Sequence, residues 1–265
     1  MPVTQKGAIS FGLVYIPVAL YAATQDNDIR INQLVEVAGR MERVQYKKTC
    51  KGCKHDLTND DIAKGFQYSK DKYVIVSDED FEKIKTEKDR SVQILQFSEM
   101  GEISPVYYEK AYRILPEKGG EKAFELLRRA MSDSGKIAVG KTVLGTKETT
   151  LILVPEETGI LMQTLYYQDE IKELSQVTAR PEVGKPELEM AEKLIESMVK
   201  PFKPEAFKDE YQDRLREMIQ KKIEGKEVTA PKDRAPDNVI DLMDALKASL
   251  EAKPVKGKPK ARKAG

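Results

Sequence analysis

IAVGKTVLGTKETTLILVPEETGILMQTLYY, residues 137–167, holds three runs rich in aliphatic and β-branched residues: Ile137–Leu144, Thr149–Pro155 and Ile160–Tyr167. The connectors GTKE and PEETG between them are hairpin-type, with a glycine where the chain must reverse. Three strands in close succession, with no helix between them, are the strongest statement this sequence makes about its architecture.

Working back toward the N-terminus, Gly119-Gly120 opens an amphipathic helix over Glu121–Ser132. Its Ala123, Phe124, Leu127, Ala130 and Met131 recur at three- and four-residue spacing, while Arg128 and Arg129 fall elsewhere. Before it, Tyr107–Leu115 and Ser91–Phe97 (SVQILQF) are strand-like. Tyr73–Ser77 (YVIVS) is a further short strand, and Ser77 caps a helix that has Asp80 three residues on and Phe81 and Ile84 at helical spacing. Asp26–Val37 holds another strand. Gly7–Leu20, GAISFGLVYIPVAL, reads as a strand or bent strand punctuated by Gly12 and Pro17. Several strands at short spacing with few helices predict an antiparallel barrel or sandwich.

Beyond Pro181 the pattern changes to helical periodicity over Pro186–Val199 and Ala206–Gly225, interrupted by the KPFKP turn with Pro201 and Pro204. The fold class is α+β, mainly β: a β-core over residues 1–180, a helical arm over 181–228, a polar linker over 229–236 and an amphipathic helix over 237–252. A basic tail without order follows over 253–265. Asp237 caps the last helix, which puts Val239, Leu242, Met243, Leu246 and Leu250 on one face. A lone helix of this length is marginal in water, so it packs back on the body or awaits a partner.

Composition limits the function classes. The chain has 265 residues, 40% hydrophobic and 34% charged, with a formal net charge of +1. That neutrality is an average, because residues 253–265 contain Lys253, Lys256, Lys258, Lys260, Arg262 and Lys263 and no acid, leaving the rest slightly acidic. No stretch approaches the length of a membrane span, and the opening residues lack the apolar run of a secretory leader, which predicts a cytoplasmic protein. The GxxxxGK[ST] spelling occurs once, as GKIAVGKT at 135–142, but it runs from the end of a helix into the strand-like run 137–144 and not from a strand through a loop into a helix, so it does not read as a phosphate loop. GxGxxG is missing from the sequence. His55 is the one histidine, a poor basis for a nucleophile–base pair. Paired acids such as Asp60-Asp61 and Glu156-Glu157 read as solvated surface.

Cys50-Lys51-Gly52-Cys53 has the spacing of half a zinc ribbon, and two thiolates so placed can meet one tetrahedral metal. The site would be completed by His55 and another group, or by the same pair from a second subunit. The competing reading is two reduced cysteines in a surface loop.

KGAISFGLVYIPVALYAAT at 6–24 resembles the opening signature of the bacterial Ku proteins. The resemblance continues through DIRINQL, the CxxC element, DIAKGFQY at Asp61–Tyr68, PVYYEKAYRILPEKGGEKAFELLRRAM at Pro105–Met131 and the segment from Glu187 to Val228. It implies a β-barrel core with an extended bridge and a helical C-terminal arm, assembled as a ring-shaped homodimer through which duplex DNA threads from an end. It also implies no catalytic activity: protection and bridging of double-strand breaks, with recruitment of the ATP-dependent DNA ligase of bacterial non-homologous end joining, in the cytoplasm at the nucleoid. The helix over 237–252 is similar to the family's ligase-recruiting element, with Leu242, Met243, Leu246 and Leu250 as anchors. No cofactor is required; zinc at Cys50 and Cys53 is the one candidate.

A ring that slides on any end reads phosphate and shape, so lysines and arginines must line it. The leading candidates are Lys136, Lys141 and Lys147 in GKIAVGKTVLGTKE, where the family often carries arginines near the last two positions. Lysine there offers a point charge in place of a planar fork. Arg30, Lys47, Lys48, Arg128 and Arg129 are lesser candidates, the two adjacent arginines reading also as outer-face residues that merely solubilise their helix, and Lys256, Lys258, Lys260, Arg262 and Lys263 of the tail would clamp DNA outside the ring. Each of these also reads singly as a solvated surface cation. The alternatives are a zinc-dependent structural or interaction protein organised by the CxxC loop, and an unrecognised nuclease or hydrolase.

Overall fold

A computed structural model describes residues 2–84, 91–173 and 181–226. The chain divides into two compact units, residues 1–174 and 175–265.

In the first unit, β1 (Gln5–Phe11) and β2 (Val14–Ala22) form a hairpin. The expected single bent strand is therefore two, reversed at Gly12, whose φ of 59° lies in the left-handed region that glycine enters without strain. Three two-stranded ribbons follow: β3 (Leu34–Val37) with β4 (Arg40–Arg43), β5 (Lys48–Thr49) with β6 (Asp56–Leu57), and β7 (Gly65–Ser69) with β8 (Lys72–Ile75). The strand expected across 26–37 is confined to its last four residues. Asp26 there turns its carboxylate onto the Asp28 N–H, a local bond that competes with strand pairing. Helix α1 (Asp78–Ile84) is capped as its sequence suggests: Asp80 N–H donates to Ser77 Oγ at 3.2 Å and Ser77 N–H donates to the Asp80 carboxylate at 3.0 Å.

Strands β9 (Ser91–Ser98) and β10 (Tyr108–Pro116), helix α2 (Glu121–Ser134), and strands β11 (Ile137–Leu144), β12 (Lys147–Pro155) and β13 (Ile160–Leu165) complete the unit. Seven strands close a barrel in the order β1-β2-β10-β13-β12-β11-β9, all pairs antiparallel except β1 with β9. Closure removes free sheet edges, which decides between barrel and sandwich.

Pro17 sits within β2 at no cost to the ladder. Its carbonyl accepts from Glu117 N–H just where the β2–β10 register ends at Val18 opposite Pro116, so its missing N–H points past the last paired residue. Gly140 is needed for a different reason. The β9–β11 register shifts beside it, and a Cβ there would collide with the Gln93 carbonyl oxygen.

The main core joins Ile9, Ile16, Val18, Ile114, Leu151, Leu153, Ile160 and Met162 of the barrel with Phe124, Leu127 and Met131 of α2, the helix stripe seen in the sequence. The opposite sheet face buries a smaller cluster of Ile137, Ile152 and Leu165. Arg128 corrects the outer-face expectation. Its side chain is only 16% exposed, and its guanidinium donates to Glu125 and to the carbonyl of Glu156 just after β12, whereas the Arg129 side chain is 70% exposed.

In the second unit, α3 (Lys185–Met198) and α4 (Glu210–Ile223) flank a 3₁₀ turn at Pro204–Ala206. The second helix begins four residues later than expected because the Asp209 carboxylate accepts from Gln212 N–H at 2.8 Å, fixing the helix start there. The linker 229–236, the helix 237–252 and the tail 253–265 lie outside the described residues.

Candidate nucleic-acid interface

The three leading lysines each carry a carboxylate partner. Lys136 Nζ lies 2.7 Å from Glu99 Oε1, one step beyond the Ile137–Ser98 pair that ends the β9–β11 ladder. That lysine holds the Glu99 carboxyl below its ordinary range. On β11, Lys141 Nζ lies 2.9 Å from Glu148 Oε2. At the start of β12, Lys147 Nζ lies 2.7 Å from Glu170 Oε1; the hydrogen bond between them raises the lysine and lowers the glutamate.

Register separates these lysines. Lys141 stands opposite Thr150 and Lys147 opposite Leu144, so strand alternation places the two on opposite faces of their hairpin. Lys141 shares its face with Ile152 and the smaller cluster, Lys147 with Leu151 and the main core. Lys136 precedes β11 at its other end, about 25 Å of strand from the turn. The set is spread over the barrel and does not form one patch.

The remaining described candidates lie on or beside the ribbons, apart from Arg128 and Arg129, which both pair with Glu125 on α2. Arg30 is exposed on the segment before β3. Lys47 pairs with Asp56 at 2.7 Å, while Lys48 donates to the neutral Asn59 carbonyl at 3.0 Å, a partner that leaves its positive charge uncancelled. The tail cations Lys256, Lys258, Lys260, Arg262 and Lys263, and the helix residues Leu242, Met243, Leu246 and Leu250, lie outside the described residues.

Charge alone would miss a second kind of surface. From Tyr21 to Ile84 every residue is exposed or half-buried. In the β7–β8 ribbon, Phe66 faces Val74 on one side while Tyr73 and Ile75 project from the other; all four are at least half exposed. A two-stranded ribbon that is apolar on both faces is not stable in water by itself and needs cover on both. The signal was present in GFQYSKDKYVIVS, where apolar residues occupy both parities around a turn. In the second unit, Leu188, Ile195, Met198, Val199, Phe202 and Phe207 are likewise more than half exposed, with the last two rings stacked at 5.4 Å.

Cys50 and Cys53 occupy the β5–β6 turn. The Cys53 N–H approaches Cys50 Sγ at 3.5 Å, and donation from Cys53, with a further contribution from the Gly52 N–H, pulls the Cys50 thiol down. Among the described residues, no helix is long and apolar enough to cross a membrane.

The family model for the Ku70/Ku80 beta-barrel domain matches residues 10–192. The chain is similar to a protein of Lachnoclostridium phytofermentans named non-homologous end joining protein Ku, 52% identical over 94% of this chain and 96% of that one. Proteins of the same name from Archaeoglobus fulgidus and Bacillus subtilis are 42% and 38% identical, covering 95% and 93% of this chain and 99% and 80% of their own lengths.

Proposed function

The chain belongs to the Ku family, and from that premise we propose that it binds double-stranded DNA ends without regard to sequence, as a homodimer closed into a ring. It protects and bridges the ends, does no chemistry itself, and recruits the ATP-dependent ligase of bacterial non-homologous end joining. It works in the cytoplasm at the nucleoid.

The observation that carries this reading is the extent of the match. The family model covers the barrel from the end of β1 onward and the ribbons and reaches into α3, and relatives named for end joining align over more than nine-tenths of the chain. The ribbons support the homodimer: residues 21–84 make no core of their own, and their two-sided apolar surface suits burial against a second copy. Helices α3 and α4 and the turn between them leave comparable apolar surface for the same purpose.

Binding by phosphate contact suits the dispersed lysines, since a sliding ring touches many phosphates weakly and none by sequence. Their glutamate partners temper non-specific attraction without removing the cations. Leu242, Met243, Leu246 and Leu250 of the helix over 237–252 anchor it in a groove of the ligase, and the basic tail clamps DNA outside the ring.

Protection of ends tests the reading. A blunt-ended duplex incubated with excess protein and then with a double-strand exonuclease should lose its ends far more slowly than naked DNA. Digestion at the naked rate, with the protein shown to be dimeric, would contradict end binding.

A further inference from the structure

We propose that Cys50 and Cys53 are half of a tetrathiolate zinc site completed by the same pair of a second copy, an inference that rests on the homodimer reading above.

The β5–β6 ribbon has too few contacts to hold itself together. It has two cross-strand pairs, Lys48 with Leu57 and Thr49 with Asp56, and no buried residue. What orders its turn is a set of bonds focused on one cysteine. Cys50 N–H donates to the His55 carbonyl at 3.0 Å, its carbonyl accepts from Lys54 N–H at 2.8 Å, and its sulfur is approached by Cys53 N–H at 3.5 Å. Lys54 is held at a φ of 60°, a left-handed conformation uncommon for a lysine. The backbone thus wraps around Cys50 Sγ and brings Cys53 in beside it, the arrangement two thiolates need to share a metal. A ribbon this small, with one half-buried and one exposed free thiol, gains its missing stability from the metal, as small coreless elements do.

Ligand supply decides where the other half comes from. Zinc in a structural site takes four nitrogen or sulfur ligands, and the chain contains two cysteines and one histidine, so one copy cannot furnish four. Among the described residues, no three His, Cys, Asp or Glu side chains converge on a metal position, so His55 does not extend the pair. A second copy related by a two-fold axis presents the same two thiols, and two knuckles facing each other make a closed S₄ site. Binding forms four Zn–S bonds and releases the four thiol protons to solvent. The site carries a net charge of −2, which Lys48, Lys51 and Lys54 of each ribbon offset.

The test is zinc content of the purified full-length protein against its mass in solution. The inference expects a dimer with about one zinc per two chains, thiols that react with a thiol reagent only after a strong chelator is added, and loss of the metal in Cys50→Ser and in Cys53→Ser. Cobalt exchanged into the site should show a tetrahedral thiolate spectrum that both variants lack. A dimer that binds no zinc, one zinc per chain, or zinc retained in both variants would overturn the shared site and leave the family reading standing. A zinc-free monomer would overturn the homodimer and the shared site together. Unchanged barrel circular dichroism in the serine variants separates loss of metal from loss of fold.

Discussion

Lys141 and Lys147 share one hairpin and stand on its opposite faces, Lys141 across from Thr150 and Lys147 across from Leu144. A duplex passing the barrel meets one face of a two-stranded ribbon, not both. Lys141→Ala and Lys147→Ala are therefore expected to behave unequally in a salt titration of DNA binding. One variant lowers the slope of log affinity against log salt by about one, the value for a lost phosphate contact, and the other leaves it alone. Equal losses would mean that DNA contacts both faces.

The Lys147–Glu170 pair makes a second prediction. Glu170→Gln frees the ammonium from its counter-ion, and DNA affinity at low salt should rise about threefold if Lys147 faces the duplex, a size typical of an exposed pair. The gain should vanish in the Lys147→Ala background, which a double-mutant cycle on binding would read directly.

Acid stability isolates α2. Arg128 and Arg129 together hold the Glu125 carboxyl down from 4.5 to about 2. A depressed carboxyl adds stability that is complete above the unfolded value and is lost as pH falls through the folded one. Glu125→Gln should therefore unfold at a lower temperature than the parent at neutral pH. The difference should shrink between about pH 4.5 and pH 2 and be gone below. A difference independent of pH would show that the carboxylate's charge is not what matters.

Much of this was legible in the sequence because local pattern and tertiary role agree. The runs at 137–144, 149–155 and 160–167, the Phe124–Leu127–Met131 stripe and the Ser77–Asp80 cap needed nothing beyond period and side-chain chemistry. Where the reading fell short, distant or competing contacts decided. Arg128 is drawn inward by a carbonyl twenty-eight residues away, at Glu156. Asp26 and Asp209 redirect the backbone with their own carboxylates, moving element starts that periodicity cannot see. Barrel and sandwich share the same strand pattern, and only the parallel β1–β9 pair separates them. The lysines were visible as residues, while their glutamate partners and opposing faces depend on registers fixed by the closed barrel.

Gly140 carries a prediction about that closure. Gly140→Ala forces a methyl against the Gln93 carbonyl, backbone that cannot swing aside, and should cost about 1–3 kcal/mol of stability. Gly101→Ala, where an added Cβ meets nothing within 4 Å, is the control and should change stability little. Thermal or urea unfolding of the two variants distinguishes a required close approach from a dispensable glycine.

Topology offers the most direct test of the central claim, that two copies form a ring entered from a DNA end. Binding to a linear blunt-ended duplex is compared with binding to the same sequence closed into a covalent circle, at matched salt and in excess protein. The ring account predicts strong retention on the linear form and almost none on the circle. Equal binding to both would contradict threading and leave a dimer that holds DNA from one side.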